Sequence, residues 1–184
     1  EAFRLASNIG WGIQMAAGTA AHRGDDAAWN ALFAASRQVP VQSEINSRPA
    51  VLESNRQLGH YHDWLERPKD DPYWARVSPS RMLPQLNESG VPALLIGGWF
   101  DTHLPGTLAA FEALRAGCEA KLLVGPWTHF PWDRHVADRD FGPDAVTRVD
   151  HVQLRWFRRW LTVEGEIDDS HADEGAWISL FDLG

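Results

Sequence analysis

Two strand-like runs, Val91 to Ile96 and Lys121 to Val124, constrain this chain more than anything else in it. The first is a continuous hydrophobic stretch broken by Gly97 and Gly98, the pattern of a strand covered on both faces. The second closes at Gly125-Pro126. Between them a segment enters at Pro105 and carries Leu108, Phe111, Ala113 and Leu114 at helical spacing. It leaves at Gly117, following the preference for proline just inside a helix and glycine just beyond it. Strand, crossover helix and strand make a right-handed βαβ unit, so the two strands run parallel with their carboxyl ends at one edge. The fold class this implies is α/β, with parallel strands joined by crossover helices.

That shared edge is where open α/β sheets build their sites. Asp101 stands just past the end of the first strand, and the loop after the second strand presents His129; the pair is 129 − 101 = 28 positions apart. A carboxylate and an imidazole brought together in this way suit nucleophilic acyl transfer. The histidine takes the proton of a hydroxyl, and the acid holds the imidazole in the useful tautomer and steadies its positive charge. In α/β-hydrolases the order along the chain is nucleophile, acid, histidine, and here the acid does precede the histidine. No G-x-S-x-G occurs, and serines such as Ser7, Ser36, Ser78, Ser80 and Ser89 lack the paired glycines of a strained nucleophile elbow. The nucleophile is therefore missing from these residues. His103 and His135 rival His129 as the base, and Asp133 rivals Asp101 as the acid. His129 is preferred because it lies closest to a strand end, and Asp101 because two residues four apart on one loop rarely make a rigid His–Asp contact.

Gly97-Gly98-Trp99-Phe100-Asp101, followed by Gly125-Pro126-Trp127-Thr128-His129, resembles the GGW-aromatic-D and GPW-S/T-H signatures of the family of cocaine esterases, X-Pro dipeptidyl-peptidases and α-amino-acid ester hydrolases. Ala137-Asp138-Arg139-Asp140-Phe141-Gly142 is similar to that family's segment after the histidine. The resemblance implies that Asp101 is the acid and His129 the general base of a serine-hydrolase triad, with the serine and the oxyanion-hole tyrosine upstream of Glu1. It further implies a carboxylic ester or an X-Pro or other amide as substrate, no cofactor, and a requirement for the amino-terminal part of the catalytic domain. Trp11, within Asn8-Ile9-Gly10-Trp11-Gly12, resembles a cap tryptophan lining the acyl pocket. The chain departs from the pattern at His103, where members often carry an aromatic residue, which bears on the leaving-group pocket.

A chain of 184 residues is long enough for one medium domain. Only two convincing core strands and a terminal one are visible, however, and a sheet that small is marginal without further strands. By resemblance, residues 1–75 read as a helical cap segment and 76–163 as the carboxy-terminal part of an α/β-hydrolase core. Residues 164–184 read as an acidic linker leading to the first strand of a β-sandwich.

The net charge of −8, from 17 basic and 25 acidic residues, argues against a nucleic-acid surface, which needs clustered excess Lys and Arg. No apolar run approaches the roughly 18 residues that span a bilayer. The lone Cys118 excludes an intrachain disulfide and reads as a small packed residue.

Along the rest of the chain, Leu5, Ile9, Ile13 and Ala16 fall on one helical face, with Trp11 and Met15 more readily explained by core packing than by substrate contact. Asp25 or Asp26 can cap a helix running to Arg37. His60-Tyr61-His62-Asp63 invites a metal-hydrolase reading, but in a helix residues two apart point away from each other, which favours a partly exposed polar face and no metal site. Val146 to Leu161 is an amphipathic helix expected to cover a sheet face, with Arg155, Arg158 and Arg159 on its polar side. A non-catalytic module binding a partner through its sheet edge and aromatic surface is the alternative from a different functional class.

Overall fold

The computed structural model describes residues 5–38, 48–129, 133–146, 149–161 and 177–183. The acidic linker expected from residue 164 onward, up to 176, and Phe130, Pro131 and Trp132 of the loop after His129, lie outside the described residues. The chain divides into two compact units, Glu1–Trp74 and Ala75–Gly184.

The first unit is helical. Helices α1 (Leu5–Arg23) and α2 (Asp26–Ser36) form a pair, followed by the short helices α3 (Ala50–Glu53) and α4 (Tyr61–Glu66); α5 (Pro72–Val77) spans the division between units. The Asp25 carboxylate accepts a hydrogen bond from the Ala28 backbone N–H at 3.0 Å and so caps α2. Ile9, Ile13, Ala16, Ala17 and Ala20 of α1 meet Leu32, Leu52, Leu58 and Tyr61 in one core. Trp11 and Met15 correct the expectation of core packing, since Trp11 is 55% exposed and Met15 is exposed too. Each lies two residues from a buried isoleucine, about 200° around the helix, and therefore on its far side. The polar-face reading of residues 60–63 also needs correction: Tyr61 and His62 are buried. The His62 Nε2 atom lies 3.1 Å from the Leu52 carbonyl.

The second unit carries the sheet. Helix α6 (Leu83–Ser89) ends at Gly90, which takes a left-handed φ of 66° and turns the chain into β1 (Ala93–Gly98). Helix α7 (Leu104–Leu114) crosses to β2 (Ala120–Gly125), which pairs parallel with β1 in a register running from Ala93↔Ala120 to Gly98↔Gly125. Leu104, Phe111 and Leu114 of α7 pack on Ala120, Leu122 and Val124, with Cys118 against the same cluster. A short hairpin, β3 (His135–Val136) with β4 (Arg139–Asp140), follows, then α8 (Val149–Leu161) and β5 (Ile178–Leu180).

Two expectations change here. The terminal strand, expected to lead into a β-sandwich, joins the parallel sheet: β5 pairs parallel with β2, Leu122↔Ile178 to Val124↔Leu180, giving the order β1-β2-β5. With a helix between them, β2 and β5 have the connection that a parallel pair requires. Helix α8 also buries its apolar stripe only in part; Val149 is buried and Val152 and Trp156 are half-buried, whereas Leu154, Phe157, Trp160 and Leu161 stay exposed. Among the described residues no helix is long and apolar enough to cross a membrane.

Candidate active site

The pairing of β1 with β2 continues past both strand ends. The Trp99 N–H donates to the Gly125 carbonyl at 2.9 Å and the Phe100 N–H to the Trp127 carbonyl at 3.0 Å. The two loops therefore leave the sheet side by side. Gly98 makes this possible, because a Cβ there would lie 2.7 Å from the Trp127 carbonyl carbon and nearer still to its oxygen. The Trp127 ring is buried over Gly125, and its Nε1 donates to the buried Ala145 carbonyl at 2.8 Å. That anchor holds the loop two residues before His129. The Gly97-Gly98 pair had signalled only the end of a strand; its second role, letting one backbone approach another, has no local signature.

Beyond the strand ends the chain turns. The Asp101 N–H donates to the Gly98 carbonyl at 2.9 Å, and Asp101 Oδ1 accepts the His103 backbone N–H at 2.8 Å, an Asx-type turn that leads into α7. With Oδ1 held from below, Oδ2 meets His129 Nδ1 at 2.9 Å. The Asp101 side chain is 11% exposed and that of His129 62%. Burial pushes the Asp101 carboxyl up, but the hydrogen bonds from His129 and the His103 N–H, with the charges of both imidazoles, outweigh it and hold the carboxyl below the usual aspartate range. An ionised carboxylate only accepts, so the proton between the two groups belongs to Nδ1. In the neutral tautomer with its proton on Nδ1, the imidazole carries its lone pair on Nε2.

His103 is drawn in as well, its ring centroid 4.9 Å from that of His129. The donor atoms of Asp101, His103 and His129 all lie within 4.8 Å of one another, the single such cluster of His, Cys, Asp and Glu found among the described residues. The rival residues are occupied elsewhere. His135 Nε2 lies 3.5 Å from Asp140 across the hairpin, and Asp133 accepts the Arg134 N–H at 2.6 Å. His60 and His62 do not converge: the His62 side chain points inward, whereas that of His60 is 65% exposed and 3.8 Å from Asp63. Trp11 stands on α1 in the first unit.

The family described as X-Pro dipeptidyl-peptidase (S15 family) matches residues 1–131. Cocaine esterase from Rhodococcus sp. (strain MB1 Bresler) is 30% identical over 119 residues, covering 60% of this chain and 20% of that protein. The matched region thus spans a fifth of the relative's length. A match over more than two-thirds of the chain decides the family: these residues belong to the X-Pro dipeptidyl-peptidase (S15) family of hydrolases.

Proposed function

We propose that the chain supplies the acid and the general base of a serine hydrolase that cleaves carboxylic esters or X-Pro and other amide bonds through an acyl-enzyme. In this reading the sheet is the carboxy-terminal part of an α/β-hydrolase sheet, and residues 1–75 are a helical cap segment. The observation that carries it is the 2.9 Å contact between Asp101 Oδ2 and His129 Nδ1 at the carboxyl end of two paired parallel strands. No G-x-S-x-G occurs in these 184 residues, so the reading assigns the nucleophilic serine and the oxyanion hole to sequence outside them.

The steps follow from the tautomer. Nε2 of His129 accepts the serine proton as the oxygen attacks the acyl carbon, and Asp101 stabilises the imidazolium that forms. The imidazolium returns that proton to the departing alcohol or amine as the acyl–oxygen or acyl–nitrogen bond breaks. Water, deprotonated by the same nitrogen, then releases the acid and restores the serine. His103, beside the base, would border the leaving group, and the substrate is a small acyl ester or peptide.

The test is hydrolysis of p-nitrophenyl acetate and of an X-Pro p-nitroanilide by the complete polypeptide carrying this sequence. Asp101→Asn is expected to lower kcat by about 10⁴, as the corresponding change does in a serine-protease triad, because it stabilises the wrong histidine tautomer. Near-normal turnover in that variant would remove Asp101 from the triad. The 184 residues alone should be close to inert; ester turnover by them, lost on His129→Ala, would place the nucleophile inside the chain instead.

A further inference from the structure

We propose that Asp101, His103 and His129 form a binding site for a divalent d-block cation such as Zn²⁺, and that its occupation switches off the base function of His129. The site rests on the gathering of two imidazoles and one carboxylate whose donor atoms lie within 4.8 Å of one another. Two histidines and an acid form a donor set that zinc accepts, at about 2.0–2.2 Å from each ligand. On a tetrahedral ion with bonds of that length, neighbouring ligand atoms sit roughly 3.3–3.5 Å apart. One pair is already near that spacing, with Asp101 Oδ2 and His129 Nδ1 at 2.9 Å.

The remaining adjustment falls on the ring of His103, an exposed residue. Its own backbone N–H holds Asp101 Oδ1 at 2.8 Å, which keeps the carboxylate aimed while the ring moves. The start of α7 works against a cation, typically by about two- to fivefold in affinity per unit charge at an exposed helix end such as this one. Solvent fills the fourth position, as in an open three-ligand zinc site.

The inhibitory consequence rests on the hydrolase reading and follows from the ring's single proton. If zinc takes Nε2, the lone pair that would accept a hydroxyl proton is in the metal bond. If it takes Nδ1, the neutral ring's proton moves to Nε2. Either way Nε2 no longer accepts, and the nucleophile is not activated.

Titration of the purified protein with ZnCl₂ by isothermal calorimetry tests the site. One zinc per chain is expected, weakened at least about tenfold by His103→Phe and unchanged by His60→Ala or His135→Ala. In parallel, imidazole ¹⁵N signals of the unmutated protein should show His103 and His129 both shifting with zinc and neither shifting with CaCl₂. Absence of saturable zinc binding, wild-type affinity in His103→Phe, or shifts confined to other histidines would overturn the site. Binding is decided without reference to turnover, so its failure and that of the hydrolase reading are distinguishable. In the complete enzyme, zinc should suppress ester turnover and EDTA restore it; full turnover at saturating zinc would overturn the switch while leaving the binding result intact.

Discussion

Asp101 does two jobs with one side chain, and the division explains why the contact with His129 is well directed. Oδ1 is tied to the turn that starts α7, which leaves Oδ2 to face the imidazole. A carboxylate held at one oxygen loses little further freedom on engaging the other, so the histidine is oriented at small entropic cost. The supporting residue is Gly98. Gly98→Ala would drive a methyl group into the Trp127 carbonyl, a backbone atom that cannot swing aside as a side-chain tip would. The expected cost is about 1–3 kcal/mol in chemical denaturation, with weakening of the Phe100 N–H to Trp127 carbonyl bond and displacement of His129. A variant of unchanged stability, with His129 ring signals unmoved, would contradict that account. None of this support was legible beforehand. The sequence named Asp101 and His129, but the steric need for glycine at position 98 arises from a residue 127 − 98 = 29 positions away.

At the scale of elements, helix starts and buried faces followed from local chemistry. Asp25 caps α2 because a short carboxylate can reach back to an amide that has no partner within the first helical turn. Asp25→Ala should cost about 0.5–2 kcal/mol, read as a lower urea midpoint with the slope unchanged; an unaltered midpoint would show that the cap carries no weight. The face formed by Ile9, Ile13 and Ala16 was readable from spacing alone, since the period of the helix decides which residues share a side. What covers a face was not readable. The amphipathic pattern of α8 identifies a helix but leaves its partner open, and Leu154, Phe157 and Trp160 are exposed. Strand β5 gives the same lesson, because a short apolar run carries no mark of which sheet it will join.

At the scale of the molecule, two cores are built from different residues. One gathers α1 and α2 with Leu52, Leu58 and Tyr61; the other gathers α7 with β2. Leu32 is fully enclosed in the first, so Leu32→Ala should cost about 2–5 kcal/mol. Amide hydrogen exchange should show that loss in α1 and α2 first, since opening energies are set by the local core; protection unchanged in both helices would contradict it. Helices α1, α2, α7 and α8 and strands β1, β2 and β5 came from the sequence by itself, because periodicity, caps and chain-breaking residues act over a few positions; helix α5 and the β3–β4 hairpin did not. Placing Asp101 and His129 at one edge came from it too, since strands joined by a crossover helix run parallel. Only the tertiary structure decided the register that sets Gly98 beside Gly125, which of several imidazoles meets the acid, and the sheet to which β5 belongs. Those outcomes depend on close approach between residues far apart along the chain, and local patterning carries no record of such distances.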